Sequence, residues 1–306
     1  MKVDDMLPLS TVVEERKLLT ALTPVNVERL ANSDAAEVLQ FLAQRPIHTV
    51  TMMSLIHDNG IVSPFNRGTF YGCRDSKGQL EGVALVGHAT LMETVSDRAL
   101  AALAQVAREC HTTHMIMGEK ERVADFWSHY AEAGRRQRLA CREWLYELGL
   151  PIEVREPVAA LRLATPSELE LVMPVQAELA FIESGVNPLH VDPEGFRRRC
   201  LRRIEQGRTW VIVESGELIF KADVISKTPE VIYLEGVWLR EESRHKNLGT
   251  RFMSELLRRL LKDAKSICLL VNETNESAQG FYRKCGFHFR ATYETIFLPR
   301  KEQVQN

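Results

Sequence analysis

The sequence predicts an α/β (α+β) chain of two similar units in tandem, each a mixed, mostly antiparallel sheet flanked by helices. Three observations carry that prediction. Strand-like and helix-like runs follow one another in the same order in both halves. A helix in each half closes on a similar stretch, "HYAEAG" (129–134) and "FYRKCG" (281–286). Between the halves lies "LGLPIEVREP" (148–157), whose two prolines suit a connection.

Taken in order, residues 1–34 read as an extension of short helices and turns. The helical spacing of Val38, Phe41 and Leu42 predicts a helix after a Ser/Asp cap. "GTFYGCRD" and "LEGVALVGHATLMET" predict a hairpin across "SKGQ". "SDRALAALAQVAREC" is an amphipathic helix capped by Ser96 or Asp97, "HMIMG" a strand, and "RVADFWSHYAEAG" a helix ending at Gly134. The second half is more legible. A strand precedes a helix capped near Thr165 or Ser167. A second helix has Asp192 as cap, Pro193 at its first position and Gly207 at its end. A hairpin turns at Ser215-Gly216, "VIYLEGVWL" is a strand, and "NLGTRFMSELLRRLLKDA" is a long helix with one apolar face. "SICLLV", the helix "NESAQGFYRKCG" and the strand "FRATYETIFL" complete the pattern.

Composition excludes several classes. With 306 residues, 45% hydrophobic and 26% charged, the chain can bury one large core or two smaller ones. A net charge of −2 gives no footprint for nucleic acid or an anionic membrane, and the basic clusters at 134–142 and 197–203 read as solvated helix faces or loops. The acidic start resembles no signal peptide, and no apolar run reaches the ~18 residues of a membrane span. A cytoplasmic protein with six reduced cysteines is therefore expected. Cys110 with His111 and His114 lacks a distant fourth ligand, so no metal is expected.

The chemistry concentrates in "SRHKNLGTRF" (243–252), between an apolar strand and a helix. A helix start exposes unpaired N–H groups and the positive end of the macrodipole, so it can hold an anion. To converge several N–H groups, the turn needs a small residue or positive φ. Asn247 stands where a glycine is expected, and Asn is among the few other residues that enter the left-handed region readily. Gly249 allows close approach, while Arg244 and Lys246 add charge.

"VWLREESRHKNLGTRF" resembles motif A of the GNAT superfamily of N-acetyltransferases, R/Q-x-x-G-x-G/A after the fourth strand. "LLVNETNESAQGFYRKCGF" resembles motif B, with Asn275, Ala278, Tyr282, Gly286 and Phe287 in register. The departure is Asn247 for the first glycine. The resemblance implies acetyl-CoA as co-substrate, with no metal. The segment Val237, Trp238, Leu239 would pair with the pantetheine arm like an added strand. Arg244, His245, Lys246, Asn247, Leu248, Gly249 and Thr250 would hold the pyrophosphate, and Asn275, Ala278 and Phe281 would contact the cofactor. Tyr282 would protonate the leaving thiolate. Glu235 is the candidate base, with ordered water as the alternative, and strand alternation places it on the face of Val237. Glu183 and Asp192 could hold an ammonium on the acceptor side.

Bland readings stand beside these: Tyr282 as a half-buried helix aromatic, Glu235 as a structural carboxylate, Arg244 as a surface cation, Asn275 as a helix cap. On the resemblance, residues 158–300 form the catalytic domain. Residues 35–150 form a degenerate GNAT-like domain without a cofactor site, since no glycine follows "VALVGHATLMET" and Asp97 would repel a phosphate. The acceptor would be a primary amine of a small molecule or protein; a homodimer is compatible with the sequence, as are a non-catalytic acyl-CoA-binding module and a transferase of longer acyl or aminoacyl groups.

Overall fold

The computed structural model describes residues 25–153, 156–244 and 247–299. The first half runs β1 (Asn26–Arg29), α1 (Ala35–Leu42), α2 (Pro46–Asn59), β2 (Gly68–Arg74), β3 (Leu80–Gly87), β4 (Ala89–Thr94), α3 (Asp97–Arg108), β5 (Met115–Glu119), α4 (Lys120–Tyr130) and β6 (Leu139–Gly149). The second runs β7 (Arg162–Leu163), α5 (Leu169–Ser184), α6 (Pro193–Glu205), β8 (Thr209–Glu214), β9 (Glu217–Lys227), β10 (Val231–Leu239), α7 (Leu248–Leu260), β11 (Ser266–Asn272), α8 (Glu276–Lys284) and β12 (His288–Phe297). Two strands lie where none is expected. Asn26–Arg29 is not a helix or turn but a strand paired antiparallel with β2. The eleven residues of β6 form a central strand.

Local chemistry explains the main boundaries. Ser96 Oγ accepts from the Ala99 amide at 3.2 Å and opens α3. Asp192 Oδ1 accepts from Gly195 N at 2.9 Å and opens α6, with Pro193 at the first helical position.

The twelve described strands form one sheet, in the order β1-β2-β3-β4-β5-β12-β6-β11-β10-β9-β8-β7. Read from either end the plan is the same. Each half keeps five strands and gives its sixth to the other, so β12 lies against β5 and β6 against β11. The two exchanged strands pair antiparallel at the centre. Without them β5 and β11 would be open edges.

Helices cover both faces. On one face of the second half, α7 and α8 pack Phe252, Leu256 and Phe281 over Phe220, Ile232 and Leu269. On the other, α5 and α6 bring Val172, Phe196 and Ile204 onto Val211. There α2 of the first half reaches across and sets Val50 against Tyr233 and Cys268. Each such buried side chain stabilises by roughly 1.5–3 kcal/mol. The basic stretch of α6 is largely paired: Arg197 with Glu170, Arg199 with Asp192 and Arg203 with Asp223, while Arg202 lies over the Phe65 ring.

Candidate active site

The site begins where two parallel strands part. β10 and β11 pair from Val231–Leu234 with Ser266–Leu269 and no further, although β10 runs to Leu239 and β11 to Asn272. The backbone groups beyond that point face a gap instead of a neighbour. The gap opens into a cleft of about 530 Å³, within the range of small-molecule sites. Val237, Asn272, Asn275, Ala278 and Tyr282 line it, together with Glu143, Glu183 and Glu235.

A bulge shapes this strand. Glu235 lies opposite Asp223 and Trp238 opposite Lys221, so β10 holds one more residue than β9 between these pairs. Gly236 absorbs it with φ +59, in the left-handed region. The extra residue reverses the alternation. Glu235 shares a face with Tyr233, whose hydroxyl donates to its Oε1 at 2.8 Å. Val237 and Leu239 pack on the opposite face, against the core under α7 and α8. The expectation that Glu235 and Val237 share a face is therefore corrected. Trp238 turns away from the Val237 side and packs against the α5–α6 core.

The turn before α7 takes the expected conformation, with Asn247 at φ +58. Its side chain does not cap the helix. Arg251 N is bonded to Asn247 O at 3.2 Å, so the amides of Leu248, Gly249 and Thr250 are the helix's opening ones. Gly249 is buried; a Cβ there would come within 3.2 Å of Leu239 and 3.3 Å of Phe281. Arg244 Nε donates to the Leu239 carbonyl at 3.1 Å, tying the turn to the strand end. His245 and Lys246 lie outside the described residues.

Asn275 caps α8, its Oδ1 accepting from Ala278 N at 3.0 Å, and also lines the cleft. Tyr282 projects into the cleft from the same helix. Burial, with Cys285 and Glu183 adding to it, holds its pKa far above the usual tyrosine value, so the phenol keeps its proton. Glu183, at the end of α5, meets solvent within the cleft. Desolvation by the cleft walls, then the charges of Glu235 and Glu143, push its pKa up to about 8. Glu143 comes from β6, the strand lent by the first half. Thr295 donates to it at 2.7 Å, yet burial raises its pKa. Asp192 is elsewhere: its carboxylate caps α6 and pairs with Arg199 at 3.0 Å. Sequence reading missed Glu143. The available signal is the alternation of Cys141, Glu143 and Leu145 in "LACREWLYELG".

The first half has the same split. β4 and β5 pair from Ala89–Leu91 with Met115–Met117, then part. Here the gap is filled. Arg45 reaches in to Glu93 at 3.1 Å and Glu119 at 2.6 Å, and His48 stacks on Tyr293 with Nδ1 2.9 Å from its hydroxyl. Only about 40 Å³ is left. Val95 and Ser96 alone join β4 to α3, with Ser96 spent on the cap. Tyr130, which matches Tyr282, is fully buried, with Arg135 donating to its hydroxyl at 3.0 Å.

Residues 178–287 match the model of the acetyltransferase (GNAT) family. Residues 178–287 form a GNAT domain. No curated protein matches the chain. Among solved structures, a Drosophila protein aligns at TM-score 0.64 with 11% identity, over 89% of this chain and 98% of its own. An acetyltransferase from the GNAT family of Colwellia psychrerythraea aligns at TM-score 0.54 and 11% identity, over 90% and 100%. A tandem GNAT protein from the clavulanic acid biosynthesis pathway aligns at 0.53 and 16%, over 89% and 98%. At these identities the likeness is one of fold, and it extends across both halves. By its GNAT domain the chain is an acyltransferase. Among the described residues no helix is long and apolar enough to cross a membrane, and no cluster of metal-ligating side chains occurs.

Proposed function

We propose that the protein moves an acetyl group from acetyl-CoA to a primary amine by direct attack within the cleft between β10 and β11. The observation that carries this reading is the split itself, lined by Tyr282 and three carboxyl groups, with the start of α7 packed at Gly249 against Leu239 at the end of β10. The residues present fit the donor. Unpaired backbone at Val237 and Leu239 is an edge for a pantetheine arm. The amides of Leu248, Gly249 and Thr250, above a buried glycine, suit a pyrophosphate. Bound acetyl-CoA supplies the activated acyl group; the rest is done by the chain's own side chains.

The bulge divides the labour. Val237 and Leu239 face the side of α7 and α8, where the donor lies in this reading, while Glu235 faces the side of α5 and β6, where the amine enters. An amine arrives as an ammonium, and the carboxyl oxygens of Glu143, Glu183 and Glu235 offer it hydrogen-bond acceptors, with Glu183 adding negative charge as the pH rises toward 8. It must lose a proton before attack, and Glu235, directly or through water, is the base. Tyr282, still protonated at neutral pH, stands ready to donate to a leaving thiolate.

The test is thiol release from acetyl-CoA with a panel of primary amines, alongside calorimetry with coenzyme A. Amine-dependent release with micromolar to millimolar KM is expected. Binding without release from any amine would favour a non-catalytic acyl-CoA module, and a better rate with longer acyl donors would change the donor class. We place the cofactor site in the second half alone, in a cytoplasmic enzyme, because the first-half split is occupied by Arg45.

A further inference from the structure

Beneath the bulge lies a lysine with no surface at all. Lys221 of β9 is 0% exposed. Its Nζ donates to Asp223 Oδ2 at 2.6 Å, to Gln176 Oε1 of α5 at 2.6 Å, and to the carbonyl oxygen of Gly236 at 3.3 Å. Asp223 is held further by Arg203 at 3.0 Å and Thr209 at 2.8 Å. A buried ion pair is weak evidence of added stability, because desolvation offsets most of the attraction, and an apolar side chain would fill the space at less cost. The charge therefore calls for a role in what it touches. Among the groups it touches is the carbonyl of Gly236, the residue whose left-handed φ makes the bulge.

We infer that Lys221 is a positioning residue that clamps the Glu235–Gly236 bulge and so fixes both sides of the active cleft. The clamp acts in two directions. Holding the Gly236 carbonyl keeps the strand phase reversed, which leaves Val237 and Leu239 on the donor side and Glu235 on the acceptor side. Gln176 extends the clamp to α5, the helix that carries Glu183, so the acceptor wall and the bulge move as one. The space is closed to substitution at the glycine: a Cβ on Gly236 would meet Lys221 Nζ at 2.9 Å and Gln176 Oε1 at 3.0 Å. The inference rests on the acetyl-transfer reading of the cleft.

The test pairs Lys221→Met with Asp223→Asn, which preserves volume, removes the two fully buried charges together and leaves the Arg203 guanidinium, about a quarter exposed, to water. The double variant is expected to melt within a few degrees of the wild type. Its coenzyme A affinity by calorimetry falls about ten-fold and kcat falls further, since small misplacements at a reacting centre are costly. A variant that folds with wild-type affinity and kcat overturns the clamp. If the double variant does not fold, Gln176→Leu decides. It takes away one of the buried ammonium's three acceptors, so the melting temperature falls by a few degrees, and the expected result is a folded protein with a raised KM for acetyl-CoA. An unmoved KM there overturns the inference. Wild-type protein that binds no coenzyme A removes the functional reading and the clamp together, whereas a normal wild type beside unaffected variants removes the clamp alone.

Discussion

Past Leu91 and Met117 the first half's parallel strands part around Arg45, Glu93 and Glu119; past Leu234 and Leu269 the second half's part around a cleft of about 530 Å³. The strands, the crossover helices and even the helix-borne tyrosine correspond. What differs is small: one arginine ahead of α2, and the length of one turn. In the second half eight residues, 240–247, separate β10 from α7. In the first, two residues join β4 to α3. The fold supplies the split, and local side chains decide whether it can receive a ligand.

The largest effect that would separate the halves is at the two tyrosines. Tyr282→Phe is expected to lower kcat about a hundred-fold while leaving coenzyme A affinity in place. Tyr130→Phe should leave kcat unchanged and cost about 1 kcal/mol of stability through the lost bond from Arg135. Equal kinetic losses from both would remove the distinction. At the turn, Asn247→Val forces a β-branched residue into the left-handed region, and calorimetry should show coenzyme A binding weakened about ten-fold. Asn247→Gly should bind at least as well as the wild type.

Filling is tested from the other side by Arg45→Met. Glu93 and Glu119 would lose their cation, and denaturant unfolding should show a loss of about 2 kcal/mol. Coenzyme A stoichiometry should stay at one per chain, because no turn for a pyrophosphate exists there; a second equivalent would contradict that. The smallest effect is at Glu183. Its pKa is about 8 in the folded protein against 4.5 ordinarily, so the folded state holds a proton that the unfolded chain has released between those values. This group's contribution therefore makes stability fall as pH rises through that window. Glu183→Gln should flatten the dependence slightly, since the side chain also meets solvent, and should remove a rise in kcat/KM near pH 8. An unchanged pH–rate profile would show that Glu183 does not govern acceptor capture.

Much of the second half was legible because its signals are local. The glycine at 249, the left-handed asparagine at 247 and the tyrosine two residues before a helix end each act within a few residues of themselves. The exchanged strands were not legible. Nothing within "LACREWLYELG" records that its partners lie at 266–272 and 288–297, since pairing partners that far along the chain leave no periodicity. Glu143 stayed hidden for that reason. The reversed face of Glu235 has a different cause: period-two reasoning assumes an unbroken ladder, and a single glycine in the left-handed region breaks it.

The swap of β6 for β12 has a practical corollary. A protease that cut only the connection between β6 and β7 would leave two fragments, each still threaded into its neighbour's sheet by a strand. They should co-elute on a sizing column and part only on denaturation. Separately expressed, each would lack a wall of its own interior, so the gene offers no place to divide it into two self-sufficient proteins.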